Sequence, residues 1–177
     1  MLNWETAVLA PSACKTKRRI SVKMSDYDYE AIIRERCADL ELLMGKTLQD
    51  ALVNVVEPEI NVVYLKTEES WFSIHGEIGS EILGIHKIDS DVQEKIEGIF
   101  MIGHLSILDQ FIGLRIARAR HIGEAWNGHG FEFSFKDLPD KTLIVQSIYT
   151  GTEPKDFYDC MRIGVGTYIH RIDFTEE

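Results

Sequence analysis

From Ala51 to Tyr149 the sequence is a succession of short β-branched and aromatic segments, broken every few residues by proline, glycine, asparagine or acidic turn residues. That pattern restricts the chain to a fold built mainly from antiparallel strands. Ala51–Glu57 and Ile60–Lys66 flank Pro58, which has no amide hydrogen to give to a central ladder. The polar turn Thr67-Glu68-Glu69-Ser70 leads into Trp71–His75, and Gly76 to Ser80 connects to a further strand over Glu81–Ile88. A second set of strands is expected over Ile112–Arg120, Ile122–Trp126, Phe131–Phe135 and Thr142–Tyr149. Asn127-Gly128 is the strongest hairpin signal, because a type I′ turn needs positive φ at both central positions. Phe131, Phe133 and Phe135 alternate with Glu132 and Ser134, which gives that strand one aromatic and one polar face. Leu48-Gln49-Asp50 precedes the first set and Leu108-Asp109-Gln110 the second, at an offset of 60 residues. The two sets read as a weak internal duplication of a β-meander.

Helical periodicity is confined to fewer places. Between about residues 27 and 44, Tyr29, Ile32, Ile33, Cys37, Leu40, Leu43 and Met44 recur at three- and four-residue steps and share one helix face. Ser25 or Asp26 can cap the start, and Gly45 supplies the stop. Ser90 and Gln93 resemble a capping box, which predicts a partly helical segment from Asp91 to about Leu108, weakened by Gly98 and Gly103. A short helix over Asp156–Arg162 and a last strand over Thr167–Phe174 complete the chain. The expected fold class is α+β: an N-terminal helix plus two antiparallel β-meander units, connected by a partly helical segment. Residues 1–23 read as a flexible basic tail, with Met24 as an alternative start, and residues 24–177 as a single α+β domain with sub-units at about 48–88 and 108–149.

A chain of 177 residues buries roughly 70% of its unfolded surface, so no disulfide or metal is needed to hold it together. Its 45% hydrophobic and 27% charged residues are ordinary globular values. The charge is uneven. Lys15, Lys17, Arg18, Arg19 and Lys23 against Glu5 give the tail +4, so the overall −10 leaves −14 on residues 24–177. Such a body repels nucleic acid and anionic membranes and favours a basic partner. The scattered cysteines Cys14, Cys37 and Cys160 form no CxxC pair and read as reduced thiols in the cytoplasm. No apolar run approaches the roughly 20 residues of a membrane span. The opening MLNWETAVLAPSAC is not read as a lipoprotein signal, since it has no basic start, too short an apolar stretch and an internal Pro11.

Only one stretch gathers imidazole and carboxylate closely: His121, Glu124 and His129, a conceivable metal site across a hairpin. Its spacing fits no metalloenzyme signature, and solvated hairpin polar groups account for it as well. Arg118 and Arg120 lie on one face of a strand, where their guanidinium forks suit a small anion, although pairing with the many carboxylates is the simpler account. His75 and His86, on neighbouring strands, could meet if the register allows, and Tyr168 and His170 hold the same status on the last strand. There is no nucleophile elbow, and Gly164-Val165-Gly166 lacks the third glycine and the helix of a dinucleotide site. No cofactor is called for. The first expectation is therefore a non-enzymatic acidic protein that binds a basic protein partner, of the inhibitor or immunity type. The alternatives are a metal- or small-ligand-binding enzyme using the His121/Glu124/His129 region, and a structural subunit of a homo-oligomer whose sheet edges a second copy covers.

Overall fold

The computed structural model describes residues 29–56, 59–76, 82–124, 127–148 and 160–166. The periodic first segment forms α1 (Tyr29–Arg36), followed by a 3-10 helix over Ala38–Leu43 that buries Leu40 and Leu43. Met44 and Gly45 end it where the stop was expected. The expected Ser25 and Asp26 caps lie outside the described residues, as do Thr167–Phe174 with Tyr168 and His170.

The strands are β1 (Asp50–Val56), β2 (Glu59–Lys66), β3 (Trp71–Gly76), β4 (Leu83–Ile88), β5 (Lys95–Glu97), β6 (Phe100–Gly103), β7 (Ile116–Glu124), β8 (Asn127–Phe135), β9 (Leu138–Ile148) and β10 (Cys160–Val165), with a single-turn helix α2 (Ser106–Asp109) before β7. They form two antiparallel sheets. One has the order β4-β3-β2-β1-β6-β5, the other β10-β9-β8-β7. Each therefore contains a four-stranded meander, β1 to β4 in the first and β7 to β10 in the second, and the α+β fold is mostly strand.

Several boundaries differ from the sequence pattern, each for a physical reason. Asp91 to Leu108 holds no helix before Ser106; instead Gly98, at φ +62, turns the β5–β6 hairpin, and β6 finds its partner in β1, a pairing distant in sequence. Ile112–Arg120 and Ile122–Trp126 are not separate strands, because β7 runs unbroken from Ile116 to Glu124. Asn127 and Gly128 both lie in β8 opposite Glu124, with Gly128 at φ +76, so the pair makes a bulge within the ladder and not the turn itself. Cys160–Arg162 is extended and not helical, since Met161, Ile163 and Val165 alternate and pack against the core from a strand paired with β9.

Period-two burial sorts the faces. Ala51, Val53, Val63, Leu65, Phe72, Ile74, Leu83 and Ile85 of the first sheet and Phe131, Phe133, Phe135, Leu143 and Val145 of the second belong to one contiguous apolar core. Phe111 joins it, stacked on Phe135 at 4.8 Å between ring centroids. Leu48, also in this core, is tied to the approach to β7 by Leu48 N–H to Leu114 O and Gly113 N–H to Leu48 O. Cys37 packs against the core as expected, and burial pushes its thiol up to about 11, so it stays protonated. The close approach of β8 and β9 depends on Gly130: a Cβ there would lie 2.2 Å from Val145 O and 2.6 Å from Gln146 Cα. Gly130→Ala must push these strands apart and is expected to cost about 2 kcal/mol, measured by urea denaturation against the parent chain.

No helix among the described residues is long and apolar enough to cross a membrane.

Candidate functional site

The connection from β4 to β5 creates the site. These strands lie at opposite edges of the six-stranded sheet, so residues 89–94 must cross a whole sheet face. Five interstrand gaps at roughly 4.8 Å amount to about 24 Å, close to the limit that the seven Cα steps from Ile88 to Lys95 can reach when extended. A strap this taut cannot form the helix that Ser90 and Gln93 suggested. It crosses the face turned away from the core, where Tyr64, Ser73 and His75 stand.

The strap is fastened at two points. The Trp71 indole Nε1–H donates to Asp91 Oδ1 at 2.8 Å, with Trp71 buried and Lys66 Nζ over its ring at 5.2 Å. At the far end, His104 lies between Glu94 (Nε2 to Oε1, 3.4 Å) and Asp50 (Nδ1 to Oδ1, 3.6 Å). Between these points the strap roofs a cavity of about 430 Å³. Val62, Ile88, Val92 and Ile102 give it apolar walls, while Tyr64, Ser73, His75, Ser90, Asp91 and Gln93 supply polar groups.

The electrostatics of the lining are one-sided. Asp91 is its carboxylate, and among the described residues no lysine or arginine lines it, the Lys66 ammonium lying beside it over the Trp71 ring. Asp89, Asp91 and Glu94 along the strap are exposed. Burial raises the Tyr64 phenol above its ordinary value, which keeps the hydroxyl protonated at neutral pH. His75 Nδ1 lies 3.1 Å from Gly76 O, a contact that an Nδ1–H satisfies. Asp91 is thus the charged group of the described lining, and a cation seated against the apolar walls would meet a complementary charge there.

Of the candidates read from the sequence, His75 lines this cavity, and the other described ones fall elsewhere. His75 and His86 do meet: Ser73 pairs with His86 and His75 with Gly84, which places the rings diagonally at 5.3 Å between centroids. His121 and His129 stack at 6.1 Å, but Glu124's side chain lies outside the described residues. His129 is fully buried in the core face of β8, its Nδ1 accepting the Leu83 N–H at 3.1 Å, a bond that joins the two sheets. Among the described residues no three His, Cys, Asp or Glu side chains come together in a way that could hold a metal ion. Arg118 and Arg120 share a face of β7 opposite Ser134 and Glu132, and the Arg120 Nε–H donates to Glu132 Oε1 at 2.8 Å. Arg118 is exposed on β7, the last strand of its sheet among the described residues, where a cation discourages edge-to-edge pairing.

The sequence pattern missed the strap cavity. Its visible traces were single residues, His75, Ser90 and Gln93, and the density of acids at Asp89, Asp91 and Glu94 between two strand segments. Comparison with protein-family models, with curated proteins and with solved structures finds no match.

Proposed function

We propose that the protein is a non-enzymatic binding protein whose acidic strap and underlying cavity receive a lysine or arginine side chain of a basic protein partner. One observation carries this: a cavity of about 430 Å³ with a carboxylate in its lining, no lysine or arginine among the described lining residues, and a roof that bears exposed acids. An arginine or lysine stem suits Val62, Val92 and Ile102, and its charged head suits Asp91 and Gln93. The net charge of −10 adds long-range attraction that speeds encounter with a basic surface. An inhibitor or immunity-type protein acting on a basic target is the kind of role this serves, because blocking a partner's surface requires complementarity and no chemistry.

The test is calorimetric titration with an arginine-rich peptide. Affinity should fall as salt rises from about 0.05 to about 0.3 M, because screening shortens the reach of exposed charges. A variant carrying Asp91→Asn and Glu94→Gln should bind about tenfold more weakly. Equal affinity of the variant and the parent chain would show that the strap is not the docking surface.

A further inference from the structure

The first sheet ends on β5, which has no strand on its outer side among the described residues. An open edge is a template for another strand, and proteins usually cover or charge it. This one carries apolar surface. Ile96 is 80% and Ile99 68% exposed, and Met101, paired with Ile96, also reaches solvent. The side chains sort by parity. Lys95 and Glu97 pair with Ile102 and Phe100, and Ile102 lines the strap cavity, so Lys95 and Glu97 lie on the strap face. Ile96 lies on the opposite face beside Met101, which in turn pairs with Val55.

The order Lys95-Ile96-Glu97 is self-complementary. Set antiparallel to a copy of itself about a two-fold axis through Ile96, it places Ile96 against Ile96, Lys95 against Glu97 of the second copy, and Glu97 against Lys95. Opposite charges directly across an antiparallel pair stabilise it, and like charges there disfavour it. A two-fold axis normal to the sheet keeps corresponding faces on one side, so both ion pairs form on the strap side and the isoleucines meet on the other. Within one chain Lys95 already lies 2.7 Å from Glu97, both side chains largely exposed. A pair that open to water contributes little and offers slight resistance to exchange across a two-fold interface.

We propose that the β5 edge docks a second copy of this chain, joining two six-stranded sheets into one continuous sheet through the Lys95-Ile96-Glu97 segment. The charge pattern supplies a test that does not depend on the partner proposed above. In sedimentation equilibrium the full parent chain should form a dimer. Lys95→Glu alone and Glu97→Lys alone should each raise the dimer dissociation constant by at least about tenfold, since each sets like charges opposite each other. Mixing the two single variants in equal amounts should restore dimers, because each then meets its complement. The double variant K95E/E97K, self-complementary in reverse, should dimerise like the parent. Circular dichroism of each variant should match the parent, as both positions are exposed. A parent chain that stays monomeric up to its solubility limit would overturn the proposal. So would single variants that dimerise as tightly as the parent, or a mixture no tighter than its components.

Discussion

Replacing Phe133 by alanine should lower the free energy of unfolding by about 4 kcal/mol. Phe133 is fully buried on β8, with Ala119 and Leu143 as its cross-strand neighbours and the Phe131 ring at 6.5 Å. It belongs to the core shared with Val63, Ile74 and Ile85 of the other sheet, so truncation leaves a void walled from both sides. Neither sheet can close that void without moving its whole ladder, which is why the cavity cost adds to the lost transfer energy. Urea denaturation at neutral pH measures it. A loss under about 1 kcal/mol would mean that the two sheets do not share a packed core.

The second large effect concerns pH. Burial, and secondarily the neighbouring His121, hold the His129 imidazole down to about 4 from its ordinary 6.5. The folded chain therefore keeps this ring neutral, while the unfolded chain protonates it near 6.5. Above that pH both states are neutral and the contribution to stability is complete. As pH falls from about 6.5 to about 4 the unfolded chain binds a proton that the folded chain refuses, and about 3 kcal/mol is lost across the window. Below about 4 both states are protonated and the loss levels off. The cause is structural: protonation at Nδ1 would break the bond from the Leu83 N–H, and Nε2 is buried without a hydrogen-bond partner among the described residues. Stability measured against pH for the parent chain and for His129→Gln separates this ring from the carboxylates, which titrate in both. The variant should be less stable at pH 7 but show the shallower decline between about 6.5 and 4. Parallel curves would contradict the assignment.

What the sequence revealed, and what it concealed, divides by the range of the interactions involved. Local period-two patterns placed β1 to β4 closely, because each strand pairs with its neighbour in sequence and only needs an apolar face. The apolar face from Ile32 to Leu43 was legible for the same reason, although the one helix expected through Met44 breaks at Cys37 into a 3-10 turn and leaves Met44 exposed. The segment after Ile88 was not. Ser90 and Gln93 have capping-box spacing, yet the chain there must span a sheet and deliver β6 to β1, a demand no local window contains. The cavity exists only because of that crossing, so its lining could not be assembled from spacing. Asn127-Gly128 misled in another way: the left-handed glycine that a tight turn would use serves here as a bulge. Of the His121, Glu124 and His129 cluster that a hairpin could bring together, the His121 and His129 rings lie 6.1 Å apart. Burial and the Leu83 bond give His129 a place in the core, joining the two sheets.

The acidic strap as a docking surface for a basic partner is tested most directly by magnetic resonance. An arginine-rich peptide titrated into the isotopically labelled chain should shift the Trp71 indole N–H, which reports on Asp91, together with the amides of Ser73, His75 and residues 90–93. Shifts confined to other surfaces, or none at any peptide concentration, would contradict the account.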